Sequence, residues 1–172
     1  MATTFTLIST VTVGSGGAAS IDFTSIPATF TDLCLKISVR TAYAAVDNNF
    51  AIRFNTATTN YSLRGLYGTG SAAGSFNRSA PDRMDIGYAD GSTATASTFA
   101  SIEVYVPNYA GANYKSASAD GVAETNASGV DMGMFAVLWS STAAITDIKL
   151  IDYNSSTISQ YSSASLYGIL KA

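Results

Sequence analysis

Chemistry in a protein chain starts from its ionisable and nucleophilic side chains, and in this chain the stock is thin. The 172 residues hold no histidine, one cysteine, nine Lys and Arg and twelve Asp and Glu. Without histidine there is no Ser-His-Asp or Cys-His relay and no imidazole base or metal ligand. Cys34 alone can form neither an intramolecular disulfide nor a structural zinc site. It reads as a small, partly buried hydrophobe rather than a reactive thiol. Paired carboxylates are the remaining catalytic option. Asp82 and Asp85 flank Arg83, and Asp120 and Glu124 stand four apart, each group beside polar turns that read as solvated loop charge. A glycosidase needs two carboxylates about 5–10 Å apart across a cleft, which no spacing in the chain shows. Asp90 and Asp131 lie in loops with oxygen to offer calcium, but no D-x-D-x-D-G run accompanies them. Gly14-Ser-Gly-Gly17 lacks the lysine and helix of a phosphate-binding loop. No catalytic, cofactor or metal residue is assigned, and the expectation is a protein that is not an enzyme.

Aromatic side chains are the one plentiful resource: ten Tyr, eight Phe and one Trp. Exposed tyrosines stack on sugar rings and anchor protein interfaces. Tyr43, Tyr67, Tyr109, Tyr114 and Tyr161 lie in or beside expected loops. The plainer reading for any one of them is a strand end capped with the hydroxyl in water. The stretch 68–83 has no apolar period and reads as a long loop, small at first and then carrying Phe76, Arg78, Asp82 and Arg83. Loops of that length inside a domain are usually functional. Phe76, Arg78, Arg83, Tyr109 and Tyr114 are therefore the candidate contact surface.

The elements that must position these residues are strands. Leu33, Leu35, Ile37 and Val39 alternate with Cys34, Lys36, Ser38 and Arg40, a period of two. A shorter alternation, Ile21 and Phe23 around Asp22, precedes it. Between them Ile26-Pro27-Ala28 makes a corner, because Pro27 removes a ladder donor and restricts Ile26. Such a corner lets the chain step from one sheet to another. Phe5 to Val13 and Ala19 to Phe23, joined by the glycine turn, read most simply as a hairpin. Further strands are expected at Phe50–Phe54, from Tyr61 with a bulge or a change of face at Leu66 and Tyr67, at Met84–Tyr88, Phe99–Val106, Lys115–Ala123, Ile145–Tyr153 and Ser162–Leu170. Met132 to Trp139 is apolar at nearly every position and reads as buried on both faces. The second covered face implies a partner chain, a loop or an extra layer. Met132, Met134, Phe135, Val137 and Trp139 are accordingly the candidate self-association strand. About ten strands without a helix predict an all-β protein: one domain, residues 1–172, a two-sheet antiparallel β-sandwich of jelly-roll or Greek-key type.

Charged residues are 12% of the chain and the net charge is −3. No basic patch forms, so no nucleic-acid partner is expected. No segment approaches the roughly 20 apolar residues of a membrane span, and Met1-Ala-Thr-Thr-Phe-Thr6 does not resemble a signal peptide. The expectation is synthesis in a cytoplasm, with no membrane partner. A surface of hydroxyls and amides suits adhesins and particle proteins, which pack with little charge to desolvate. The Asn-x-Ser sequons at Asn60, Asn77, Asn126 and Asn154 are what chance yields in so Ser-rich a chain.

Several segments resemble a family of small virion proteins of tailed bacteriophages, marine and cyanobacterial ones especially. They are Leu7-Ile-Ser-Thr-Val-Thr-Val-Gly-Ser-Gly-Gly-Ala-Ala-Ser-Ile-Asp-Phe23, Ile26-Pro-Ala-Thr-Phe-Thr-Asp-Leu33, Ile102-Glu-Val-Tyr-Val-Pro-Asn-Tyr109, Leu138-Trp-Ser-Ser-Thr-Ala-Ala-Ile-Thr146 and Leu166-Tyr-Gly-Ile169. Together they span nearly the whole chain, and all are strand and corner text with no catalytic signature. The resemblance implies a jelly-roll-like sandwich carried on the virion and made in the host cytoplasm. It implies a capsid decoration or cement protein, a homotrimer bound to the major capsid protein and stabilising the head. The alternative it leaves is a receptor-binding domain at a tail-fibre or head-fibre tip, gripping a host surface glycan.

Overall fold

Alternation of apolar and polar side chains, the dominant local rule of the sequence, becomes twelve strands. The computed structural model describes residues 4–79, 81–126 and 131–170, and among these there is no helix. The strands are β1 (Phe5–Thr12), β2 (Ile21–Phe23), β3 (Asp32–Val39), β4 (Asp47–Phe54), β5 (Tyr61–Gly68) and β6 (Ala73–Ser79), then β7 (Met84–Asp90), β8 (Ala100–Val106), β9 (Lys115–Val122), β10 (Met132–Trp139), β11 (Ile148–Asp152) and β12 (Ser163–Ile169). They form an eight-stranded sheet in the order β1-β12-β3-β8-β9-β10-β5-β6 and a four-stranded sheet in the order β2-β11-β4-β7.

Within this order lies an eight-stranded jelly roll. The antiparallel pairs β1·β12, β2·β11, β3·β8 and β4·β7 are nested, the chain's outermost strands together and its inner ones together. The pairs β12·β3 and β11·β4 close each half into a sheet of four. That is one long antiparallel ribbon rolled upon itself, as in a jelly roll. The other four strands are two hairpins added to it. β5–β6 is inserted between β4 and β7, and β9–β10 between β8 and β11. They pair with each other through β10·β5 and join the larger sheet through β8·β9. Eight strands therefore face four. β7, at the rim of the smaller sheet, packs over β8, β9 and β10, and β6 lies beyond that rim.

The corner at Pro27 does carry the chain from the small sheet (β2) to the large one (β3). Inward-facing residues of both sheets make one core, with Leu33, Leu35, Phe50, Ile52, Phe54, Ile86, Val104 and Leu166 among its members. Cys34 points outward from β3 yet is buried between its cross-strand neighbours Tyr105 and Tyr167. Burial pushes its thiol pKa up, so it stays protonated.

Four expectations need correction. β1 and β2 are not a hairpin: β1 edges the large sheet beside β12, and β2 lies in the small sheet beside β11. The stretch 68–83 is not one long loop, because Ala73–Ser79 forms β6 on the ladder of β5. β5 runs in unbroken register past Leu66 and Tyr67, so Leu66 is a hydrophobe on the outer face rather than the mark of a bulge. The strand Met132–Trp139 is covered on one face only. Phe135, Val137 and Trp139 are in the core, while Met132 and Met134 are 58% and 66% exposed.

Candidate functional site

Two features stand out, and both lie on the added hairpins. The first is the outer face of β5, β10 and β9. Register places Leu66, Met134 and Asp120 side by side across the three strands, with Gly68, Met132 and Val122 in the next row and Arg64, Ala136 and Ser118 in the row beyond. Leu66 (61%), Met132, Met134 and Val122 (44%) are exposed, and no described residue covers them. An open trough of about 640 Å³ runs along the same face between Arg64, Asn77, Asp120 and Met134. Elsewhere this side of the sheet carries serines, a Lys36–Glu103 ion pair on β3 and β8, and toward the β1 edge a second apolar row of Leu7, Tyr167, Cys34 and Tyr105 with exposed Phe5 beside it. Leu66 and Val122 escaped the sequence reading. Their signal was an apolar residue at an outward position on two strands that the sequence does not show to flank the same third strand.

The second feature is the mouth of the sandwich, where β6 overhangs the small sheet. Inward residues of β5 and β6 are offset pairs of glycine and ring, Gly65 with Phe76 and Tyr67 with Gly74. A Cβ on either glycine would stand under 3 Å from the ring beside it, so the glycines make the room that the rings fill. Phe76 meets Tyr67 at 6.3 Å and Phe135 at 6.1 Å between centroids, and Tyr88 of β7 meets Phe135 at 5.9 Å. Arg78 reaches over from β6. Its guanidinium lies 4.6 Å from the centre of the Tyr153 ring and 5.7 Å from that of Phe76, and its Nη1 donates to the Tyr153 hydroxyl. Its Nε stands 3.1 Å from the carboxylate of Asp85. Asp85 is fully buried on β7 and neither of its oxygens has a hydrogen bond. Burial pushes its pKa up to about 6 against the opposing charges of Arg78 and Arg83.

Arg83 grips the same ring from the other side, 5.4 Å from the Tyr153 centre, and donates to the Tyr153 carbonyl. It also binds Asp82 through Nε and Nη2, and Arg53 joins them; Arg83 and Arg53 pull Asp82 down to about 2. Asp82 is thus a paired carboxylate, and Asp85 a buried one on a strand rather than the solvated loop charge expected.

Of the candidate contact residues, Phe76, Arg78 and Arg83 are brought together here. Tyr109 is not: it is fully buried, its hydroxyl donating to the Pro27 carbonyl, so it braces the β2–β3 corner. Tyr114 is 57% exposed in the turn before β9, at the opposite end of that strand from Val122. Of the candidate self-association residues, Met132 and Met134 face outward. Phe135, Val137 and Trp139 face the core, where Trp139 packs on Phe54 and Tyr61.

The loops that could have offered calcium hold a different arrangement. Asp131 shares a hydrogen bond with Asp47: burial and then the Asp131 carboxylate raise the Asp47 carboxyl, while burial raises that of Asp131 against the bond from Asp47. Asp90, opposite Asp47 in the ladder, is raised by burial. Among the described residues no group of three or more Asp, Glu, Cys or His is arranged to hold a metal ion. Among the described residues no helix is long and apolar enough to cross a membrane. Comparison with known proteins finds no matching family model and no curated protein that matches the chain.

Proposed function

We propose that this chain is a non-enzymatic assembly domain of a bacteriophage particle, a capsid decoration protein that binds its own copies and the major capsid protein. The observation that carries the reading is the uncovered apolar face of Leu66, Val122, Met132 and Met134 on hairpins that the jelly roll does not need for its own closure. Contiguous apolar patches rimmed by polar residues mark interaction sites. Arg64 on β5 and Asp120 on β9 flank this one, and neither has an ion-pair partner among the described residues. A second copy of the same surface offers each the charge it lacks. The resemblance of the strand and corner text to small virion proteins supplies the setting, and a trimer is the assembly that goes with it. Binding to the assembled shell but not to its separated parts then stabilises the shell by mass action, without chemistry.

The test is light scattering of the purified chain beside Leu66→Asp/Met134→Asp, with labelled chain followed on particles by electron microscopy. The expected result is an oligomer for the native chain, a folded monomer of unchanged strand content by circular dichroism for the variant, and native label in lattice register over the head. A native chain that stays monomeric, or label confined to the tail, overturns the reading.

A further inference from the structure

We propose that the mouth of the sandwich beside β6 is a saccharide site, taking a neutral pyranose unit of a surface polysaccharide. It does not rest on the assembly reading, since it occupies the inner side of β5 and β6, whereas the assembly surface is their outer side. Asn49, Tyr67, Phe76, Asn77, Arg78 and Tyr88 line an open groove of about 430 Å³. Sites for small organic ligands span about 300–1,000 Å³ and lie at mouths and junctions of this kind.

Three properties of the lining specify the ligand. The half-exposed rings of Tyr67 and Phe76 present an aromatic wall held by packing on Gly74 and Gly65, so it is preformed. The apolar C–H face of a sugar ring lies against such a wall with little ordering cost. Around it stand polar tips with no partner among the described residues: the side-chain amide of Asn49 and the hydroxyl of Tyr67. An amide offers both donors and an acceptor, the set that a pair of sugar hydroxyls matches. The charge of the one cation, Arg78, is already answered by Asp85 and its guanidinium by Tyr153. No unanswered positive charge remains to favour a phosphate or a uronic acid. A neutral ring with a hydroxyl edge is what fits.

Saturation-transfer NMR on the full chain checks this, with methyl glycosides of glucose, galactose, mannose and N-acetylglucosamine as probes. Transfer to the ring protons of at least one is expected. Tyr67→Ala removes part of the wall and is expected to weaken that signal at least tenfold. Asn49→Ala removes only an unpartnered amide, so the fold is retained, and it is expected to weaken the signal severalfold. Leu66→Asp, on the outer face, leaves it unchanged. No transfer from any of the four glycosides overturns the proposal, as does transfer that Tyr67→Ala and Asn49→Ala both leave intact. Because Leu66→Asp/Met134→Asp is read by oligomer mass and these variants by ligand signal, failure of one reading is distinguishable from failure of the other.

Discussion

The carboxyl of Asp85 is fully buried, with no hydrogen bond and one guanidinium 3.1 Å away. Burial outweighs that partner and holds the pKa at about 6. In the unfolded chain it returns to about 3.9. The folded state therefore binds the proton more tightly, and stability falls as pH rises from about 4 to about 6, the reverse of an ordinary salt-bridged carboxylate. A difference of about two pH units amounts to about 3 kcal/mol at neutral pH. Asp85→Asn keeps the shape and removes the titration, while Arg78, a third exposed, retains water and Tyr153. Denaturant unfolding is expected to show the variant more stable than the native chain above about pH 6, by up to that amount. The advantage should vanish below about pH 4, and an advantage of equal size at both ends would sink the account. Nothing in Arg83-Met84-Asp85-Ile86 announces this burial. The alternation correctly turns Asp85 away from Met84 and Ile86, but whether that other face meets water depends on β6, whose Arg78 reaches it from the other sheet. Tyr109 is the converse case: a tyrosine next to Pro107-Asn108 looks like a loop residue, and only the corner at Pro27 packed upon it reveals a brace.

At the scale of elements, the strands that alternate cleanly were legible: β3 and β8 fall where the period of two puts them, and so does the Phe50–Phe54 half of β4, whose ladder begins earlier at Asp47. β6 was not. Its outward positions Ala73, Ser75, Asn77 and Ser79 are small or polar, and of its inward ones Gly74 has no side chain and Arg78 is charged, leaving Phe76 as the single apolar signal. What makes it a strand is the ladder to β5, which local sequence does not encode. The glycines of these elements show how tightly the pieces meet. A Cβ on Gly74 would stand 2.6 Å from the Tyr67 ring, the end of a side chain that can swing toward the groove. A Cβ on Gly91, just after β7, would stand 2.1 Å from the Ala45 carbonyl oxygen, which is backbone and cannot. Gly14 has nothing within 4 Å. Thermal or denaturant unfolding should therefore rank the alanine variants Gly14, Gly74, Gly91. The expected costs are within about 0.5 kcal/mol for the first, about 1 for the second, and about 3 or more for the third. Equal costs for Gly74 and Gly91 would mean that neighbouring backbone yields as readily as a side chain, against this packing.

The whole molecule is a jelly roll widened on one side, and the widening separates its ends from the two surfaces proposed above. The described termini meet at the β1 edge, where the Leu170 amide donates to the Thr4 carbonyl. β10 is five strands from β1 and β6 is seven, roughly 24 Å and 34 Å at about 4.8 Å per strand. The resemblance of strand and corner text reached the rolled ribbon more fully than the hairpins. Four of its five segments lie on strands or corners of the ribbon, and only Leu138 and Trp139 of the fifth reach β10. That is why the fold class could be read from sequence and the surface could not. Periodicity reports which residues face inward, whereas a patch is made of outward residues from strands far apart in the text. This geometry makes a prediction about insertions. A folded monomeric fluorescent protein joined to the C-terminal end should leave self-association intact, because it sits at the β1 edge. The same protein placed in the Thr69–Ala72 turn, which joins β5 to β6 beside Met132 and Gly68, should leave the chain monomeric. Oligomer mass by light scattering reads both. Because the contact is chiefly apolar, the native and C-terminally fused chains should keep that mass as salt rises from about 0.1 to 1 M, where exposed ion pairs are screened beyond about 3 Å. If the terminal fusion dissociates while the turn insertion does not, the contact lies at the β1 edge, and Phe5 and Leu7, the exposed hydrophobes there, become the residues to change.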